Sequence, residues 1–345
     1  MQVPKDFLLG TDSQEKESLI GLSSRSRLAR TGVPQEDSRV VAVEVGVQRT
    51  LYWALGLGCM HLIAFVIFLS MVIAQQDTIF LHDVDVVRPI PCWKSQYDIF
   101  NVFESINMPR KKTIAGCVII FHFLSGFFQT VPFWWYKTLY PPGYAHRVGT
   151  NGIMYLRFIE YSLSAPTVLV AISLVVGIMD IFTLVFIATL TMLCMIMGLS
   201  VDILRYMAQT ATVNDKARLW KLIIGLHCMG WIAIAVPWYT IFAGFYSGKS
   251  NMLSTSDNVC GKSIQIEGAI VELPAFVQPL LFTECFLFSV FGFVQMWQLY
   301  VQGWRDTGNE FIGVWCERVY IFLSFASKLT LGATTFASIL FADDA

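Results

Sequence analysis

The chain has 345 residues, of which 55% are hydrophobic and only 14% charged, and its mean hydropathy is +0.58. Soluble domains carry about 25% charged residues, so these values exclude a disordered protein, a disulfide scaffold and most soluble enzymes. The formal net charge of −1 provides no basic field that would favour nucleic acid as a partner. The composition therefore predicts a polytopic membrane protein surrounded by a lipid bilayer.

Six apolar runs are long enough to cross about 30 Å of hydrocarbon. They cover residues 51–74, 113–136, 153–200, 219–246, 274–300 and 311–341. The third run is too long for one helix, and Gly177 and Asp180 divide it into two spans joined by a very short turn. The sequence thus predicts an all-α fold, a seven-helix transmembrane bundle over residues 50–342. Residues 1–49 are rich in Ser, Arg and Glu and are predicted to form a disordered tail.

Lysine and arginine residues are concentrated in the tail and in the connections between spans 2 and 3, 4 and 5, and 6 and 7. These segments share one side of the bundle, so the positive-inside rule predicts a cytoplasmic N-terminus. Because the number of spans is odd, the C-terminus is predicted to be extracellular. The cluster at residues 110–112 lies on the opposite side and is an exception to the rule.

The connection between the first two spans is the longest loop and is predicted to be extracellular. Residues 78–87 alternate apolar and polar side chains, which indicates a strand, and a second strand over 97–103 would complete a small β-hairpin across a turn at 89–91. Cys92 in this loop and Cys260 in the loop between spans 5 and 6 face the same side, which favours a disulfide. Free thiols are the alternative, because spans 2 and 5 need not be neighbours.

Ionisable side chains inside the spans are few, and each costs about 2.5–3.5 kcal/mol to insert. Lys328 is the most informative, because it is the only lysine at mid-membrane depth. Two interpretations are open: an ion pair with a carboxylate of another helix, or an amine that forms a Schiff base with an aldehyde. Glu160 in span 3 is the natural partner, since a lysine in a helix points back toward the N-terminus of that helix.

Further polar residues are predicted to form a seam that runs inward from the amine. Ser324 and Ser164 lie four residues from Lys328 and Glu160, so each shares a helix face with its neighbour. A lone histidine in an apolar helix is more often structural, but two on adjacent helices make a functional role equally reasonable. No pair of histidines has the spacing of a metal site, so no metal is predicted. The predicted seam contains Glu160, Ser164, Ser324, Glu317, His61 and His122.

Spans 4, 5 and 6 carry many bulky apolar residues, which usually only pack helices together. Beside a lysine in span 7 they could also form the walls of a long, flat, apolar ligand site. There is no glycine-rich phosphate loop and no Gly-x-Ser-x-Gly motif, so the sequence does not predict an enzyme. The wall candidates are Met195, Trp238 and Phe288, among a wider set that includes Met192, Met197, Trp231, Tyr239, Phe286, Phe291 and Phe293.

Seven spans with a lysine in the middle of the seventh resemble the retinal-binding rhodopsins. The sequence Glu-Tyr-Ser-Leu-Ser at residues 160–164 is similar to the Glu-Tyr-Ser-x-Ser signature of the heliorhodopsins, and the spacing of Glu317, Ser324 and Lys328 also matches that family. The resemblance covers about residues 50–342. It implies all-trans retinal bound to Lys328 through a Schiff base, with Glu160 as the counterion. It further implies that His61, His122, Ser164 and Ser324 lie near the Schiff base or its inner cavity.

The resemblance also implies a function and an assembly. The implied function is light sensing with a slow photocycle, in which the Schiff base loses its proton and helix movement signals to an unknown partner. The implied assembly is a homodimer formed through the first outer loop and neighbouring helices. A single carboxylate in span 3 supports sensing, since a pump usually needs both a proton donor and an acceptor there.

Two other functions are compatible with the spans. A light-driven or light-gated proton channel or transporter is the main alternative, with Glu284, Glu317 and Arg157 as candidates for the proton pathway. A G-protein-coupled receptor is disfavoured by the predicted orientation. It is also disfavoured because Asp-Arg-Tyr is absent after span 3 and Asn-Pro-x-x-Tyr is absent from span 7.

Overall fold

A computed structural model describes the backbone of residues 35–74, 85–93, 99–139, 155–248, 276–301 and 310–341. The chain divides into two compact units, Met1–Ala42 and Val43–Ala345, and only the start of the first helix is described in the former. In chain order the elements are α1 (Gln35–Ala74), β1 (Asp85–Trp93), β2 (Ile99–Pro109), α2 (Arg110–Leu139), α3 (Tyr155–Val176), α4 (Ile181–Thr210), α5 (Val213–Gly248), α6 (Val277–Leu299) and α7 (Glu310–Phe341).

Seven helices in the described part of the chain are long and apolar enough to cross a membrane, which confirms the predicted number of spans. The first helix differs from the prediction at its N-terminal end. Helix α1 begins at Gln35, so residues 35–49, which were predicted to belong to a disordered tail, are helical. The predicted span is preceded by a further apolar segment, Val-Val-Ala-Val-Glu-Val-Gly-Val at 40–47. The high Ser and Arg content of the residues before it conceals this extension of the helix. The rest of the predicted tail lies outside the described residues.

The predicted break inside the third apolar run is present. Helix α3 ends at Val176 and α4 begins at Ile181. Gly177 has a φ of 98°, a left-handed conformation that glycine adopts without a steric penalty. Asp180 then caps α4, because its carboxylate accepts hydrogen bonds from the backbone N–H groups of Phe182 and Thr183. These two residues let α3 and α4 pack side by side with almost no loop between them.

Strands β1 and β2 pair in antiparallel fashion, but in a different register from the predicted one. The prolines at 89 and 91 were expected in the turn, whereas they lie inside β1, where Pro89 pairs with Phe103 and Pro91 with Asn101. Each strand of a two-stranded sheet has a free edge, so a residue without an N–H group is tolerated there. The predicted strand residues 78–84 lie outside the described part.

Helix α3 occupies the centre of the bundle. Two thirds of its spanning window (67%) is buried, against 17% for α5 and 22% for α4. Its residues Val168, Leu169 and Ile172 are fully enclosed in the largest apolar cluster, which α2 and α7 also enter. Large apolar side chains such as Ile63, Phe286 and Tyr239 remain on the outside of the bundle, as expected of a surface that contacts lipid. The central position of α3 places Glu160 deep in the protein.

Candidate functional site

The amine of Lys328, on α7, lies in the interior of the bundle and is almost fully buried. Its Nζ donates hydrogen bonds to Glu160 Oε1 at 2.7 Å, Ser125 Oγ at 2.5 Å and Ser324 Oγ at 3.0 Å. An ammonium group has three donors, so these three acceptors satisfy all of them. Nζ also lies 5.5 Å from the centre of the Tyr161 ring, where the ring face attracts a positive charge. The predicted contact between Lys328 and Glu160 is thus present as a buried ion pair.

Ser125 on α2 is the residue of this cluster that the sequence did not reveal. Its hydroxyl donates to Glu160 Oε1 at 2.6 Å while it accepts from Lys328, so it bridges the two charged groups. It is completely buried. A serine within an apolar helix usually bonds to the backbone of its own helix, so Ser125 did not stand out as a site residue. Its only indication in the sequence is its position three residues after His122, which makes the two side chains neighbours on the helix surface.

The helices that carry the ion pair are connected beside it. The Tyr161 hydroxyl on α3 donates to the backbone oxygen of Tyr320 on α7 at 3.0 Å, and both rings are buried. This bond links the residue next to Glu160 with a residue two turns before Lys328. This second contact between α3 and α7 therefore helps to fix the depth of the Glu160 carboxylate relative to the Lys328 amine.

A cavity opens directly beside the amine. It contains about 970 Å³ of space not filled by protein atoms, its open mouth included, and residues of α3, α4, α5, α6 and α7 line it. Lys328, Ser324 and Ser164 contribute polar atoms, and the Ser164 hydroxyl is buried with no hydrogen-bond partner among the described residues. Most other lining residues are apolar or aromatic. An apolar cleft with one reactive amine fits a long hydrophobic aldehyde.

Two of the three predicted wall residues line this cavity. Met195 on α4 and Phe288 on α6 are part of its surface, together with Trp231 and Phe291. Trp238 is not part of the lining. It packs edge-on against Phe288, with ring centres 5.6 Å apart, and so supports the wall from behind.

His61 and His122 form a buried pair, with 2.9 Å between their Nδ1 atoms. The sequence predicts that both lie in a seam running from Lys328 toward the N-terminal end of α7, and their role beside the amine stays a prediction. A Cβ atom at Gly332, one turn beyond Lys328 toward the C-terminal end of α7, would lie 2.8 Å from His122 Nε2. Ser125, three residues later in α2, is the residue of that helix that contacts the amine.

A second charged cluster lies toward the N-terminal ends of α3 and α7. Arg157 pairs with Glu317 and, at 3.1 Å, with Asp202 of α4, and all three side chains are buried. The guanidinium also lies 4.2 Å from the centre of the Tyr320 ring. Glu317, predicted as part of the seam, thus pairs with Arg157, which is also a candidate for the proton pathway. Asp202 was missed, because it lies two residues beyond the predicted end of the apolar run at 153–200.

Glu284 on α6 is fully buried and faces the interior of the bundle. Ser327, the neighbour of Lys328 in the chain, donates its hydroxyl to Glu284 Oε2 at 2.5 Å. The other carboxyl oxygen, Oε1, has no hydrogen-bond partner among the described residues. Glu284, which the sequence predicts as a candidate for the proton pathway, therefore lies inside the bundle.

The predicted disulfide between Cys92 and Cys260 involves side chains outside the described part of the structure. Cys260 lies outside the described residues, and Cys92 lies in β1, whose side chains are not described, so the disulfide stays a prediction. Among the described residues, no cluster of three or more His, Cys, Asp or Glu side chains is arranged to hold a metal ion.

Seven apolar helices around a buried lysine, which pairs with a carboxylate and opens onto an apolar cavity, define a rhodopsin-like membrane protein. The sequence model of the heliorhodopsin family matches residues 51–340, which is most of the chain. The chain therefore belongs to the heliorhodopsin family, and membership indicates a retinal-binding, light-responsive rhodopsin. A comparison with curated proteins finds no match.

Proposed function

We propose that the protein is a light sensor that binds all-trans retinal at Lys328 and signals through a slow photocycle. One observation carries the proposal: the Lys328 amine opens onto the apolar cavity while Glu160 and Ser125 hold it from the other side. When bound to Lys328 through a Schiff base, retinal would supply absorption of visible light and light-driven isomerisation. The chain's own residues then have to stabilise a positive charge at Nζ and receive its proton.

Glu160 is the counterion in this proposal. It is the only carboxylate among the described residues within hydrogen-bond distance of Nζ, and burial strengthens the attraction between the two charges. Ser125 lowers the cost of burying the carboxylate by donating to it, and Ser324 accepts from Nζ on the side of the cavity. During the photocycle Nζ gives up its proton within this group. Arg157, already held by two carboxylates, keeps Glu317 and Asp202 from competing for that proton.

The experiment is reconstitution of the purified protein with all-trans retinal. We expect a visible absorption band in the native protein and none in Lys328→Ala. The matched control is Lys221→Ala, which removes an exposed lysine of α5 and should leave the band unchanged. A normal pigment in Lys328→Ala would contradict the proposal.

Glu284 favours a second function, light-driven or light-gated proton conduction. A buried carboxyl that is hydrogen-bonded to the neighbour of Lys328 and retains a free oxygen could pass protons to or from the site. Photocurrents in a voltage-clamped cell separate the two functions. A light-induced current at zero voltage that disappears in Glu284→Gln would favour transport, and its absence in the native protein would favour sensing.

We further propose that the tail is cytoplasmic, that the C-terminus and the β1–β2 hairpin are extracellular, and that the protein is a homodimer. The distribution of Lys and Arg supports the orientation. Reaction of single added cysteines at either terminus with a membrane-impermeant reagent on intact cells tests the orientation. Cross-linking in membranes tests the dimer.

A further inference from the structure

Trp231 of α5 lies against Gly292 of α6, and both residues line the cavity. A Cβ atom placed on Gly292 would lie 2.4 Å from Cζ2 of the indole and 2.9 Å from its Cε2 and Cη2 atoms. Real Cβ atoms do not approach other atoms so closely, so any larger residue at 292 requires the indole to move. The absence of a side chain at one position of α6 thus determines where an aromatic ring of α5 lies.

The indole cannot move without breaking other contacts. Its Nε1 donates to Nε2 of His227, one turn earlier in α5, at 3.0 Å. Its ring also packs against Phe293, with ring centres 5.2 Å apart. Because Nε2 of His227 accepts this bond, its hydrogen lies on Nδ1 in the neutral ring.

A second hydrogen bond at the cavity joins α6 to α4. Gln295 Nε2 donates to the backbone oxygen of Gly198 of α4 at 3.0 Å. His227, Gln295 and Gly198 all line the cavity. The Trp231 ring is therefore held by His227 of its own helix and by Phe293 of α6, beside a hydrogen bond that joins α6 to α4.

We propose that Gly292 and Trp231 together set the shape of the retinal cavity along its α5–α6 wall. Gly292 acts as a specificity-determining residue, and Trp231, held by His227, acts as a positioning residue. This proposal rests on the proposed retinal binding. A glycine in a helix interior is less favourable than an alanine, so its presence there needs a structural reason. Because Gly292 has no side chain, the indole of Trp231 can pack against α6 and form part of the cavity wall. The ligand that fits is a long, flat, conjugated chain.

Other glycines in the bundle lie where two helices pack closely, and they differ from Gly292 in what an added side chain would meet. At Gly58 and Gly126, on α1 and α2, an added Cβ would meet backbone oxygen atoms at 3.3 and 3.2 Å, and neither residue lines the cavity. Those glycines allow two helices to pack closely. The three atoms nearest to a Cβ at Gly292 all belong to the indole, so a substitution there should act on the cavity rather than on the spacing of helices.

The experiment compares Gly292→Ala with Gly225→Ala, a helical glycine at which an added Cβ would have nothing within 4 Å. Purified proteins are mixed with all-trans retinal, and the binding constant, the absorption maximum and the melting midpoint before retinal addition are recorded. We expect Gly292→Ala to bind about tenfold more weakly, since overpacking a close contact costs that order of free energy. We also expect a shifted absorption maximum, and no change in either quantity for Gly225→Ala.

The effect of Gly292→Ala is measured a second time in a Trp231→Leu background, by comparing the double variant with Trp231→Leu alone. Once the indole is gone, the added methyl group at 292 should change neither binding nor folding. An unaltered Gly292→Ala protein, or a Gly292→Ala effect equally large in the Trp231→Leu background, would overturn the inference. A native protein that forms no pigment would instead contradict the proposed function itself, so the two failures are distinguishable.

Discussion

Two buried carboxylates lie beside consecutive residues of α7, and their surroundings differ. Glu160 contacts the Lys328 ammonium and the Ser125 hydroxyl, so its charge is balanced within hydrogen-bond distance. Glu284 hydrogen-bonds only with the Ser327 hydroxyl among the described residues, and one of its oxygens has no hydrogen-bond partner there. A buried carboxylate without a cation is costly, whereas the neutral acid is not. The comparison indicates that Glu160 carries a charge and Glu284 a proton.

The largest expected effect comes from breaking the charged pair before retinal is added. Glu160→Gln leaves the ammonium of Lys328 buried beside neutral groups, which should lower the free energy of unfolding by about 3–5 kcal/mol. Glu160→Gln combined with Lys328→Met removes both charges and should recover most of that loss. Melting of the detergent-solubilised protein measures both. The control is Glu284→Gln, which replaces a neutral acid by a neutral amide and should change the midpoint little; an equal loss in that variant would contradict the comparison.

The second test uses the pigment. With retinal bound, Glu160→Gln removes the negative charge beside Nζ, so the absorption maximum should move to longer wavelength. If the site then loses its proton, absorption should move to the near ultraviolet. Glu284→Gln should shift the band far less, because no charge is removed. Absorption spectra at neutral pH check this, and an unchanged spectrum in Glu160→Gln would transfer the counterion role to Glu284.

A smaller effect is expected from Ser125→Ala, which removes the donor to Glu160 and one acceptor of Lys328. The loss of a buried hydrogen bond to charged groups should cost about 1–3 kcal/mol of unfolding free energy. The control is Ser70→Ala, since Ser70 is exposed on α1 and bonds only to the backbone of Val66. Equal melting midpoints for the two variants would show that Ser125 does not stabilise the pair.

The smallest effect should follow from Ser327→Ala. A neutral Glu284 loses one neutral hydrogen bond, which is worth about 1 kcal/mol. Ser289→Ala on α6 is the control, because that hydroxyl bonds to the backbone oxygen of Cys285. A loss several times larger in Ser327→Ala would indicate that Glu284 is ionised and that Ser327 supports its charge.

Much of this site could be predicted from the sequence, for reasons that differ from residue to residue. Lys328 and Glu160 could be found because charge inside an apolar run is rare. Gly177 and Asp180 could be found because glycine commonly follows the end of a helix and aspartate commonly caps the start of the next. Ser125 and Asp202 could not be found in this way, since their importance depends on which residues of other helices face them. The depth of His122 relative to Lys328 could not be predicted, because spacing within one helix does not give depth relative to another helix. The start of α1 was missed, because composition averaged over the tail concealed its apolar end.

The contact between His61 and His122 has a consequence for how the hydrogen atoms are arranged. Two Nδ1 atoms 2.9 Å apart can share only one hydrogen, so one neutral ring carries it there and the other must carry its own on Nε2. The two rings are therefore opposite tautomers. Moving the shared hydrogen across the gap is not enough to exchange their roles, because the Nε2 hydrogens must change as well. Both Nε2 atoms are buried without partners among the described residues, so no described group is placed to supply or accept that second hydrogen.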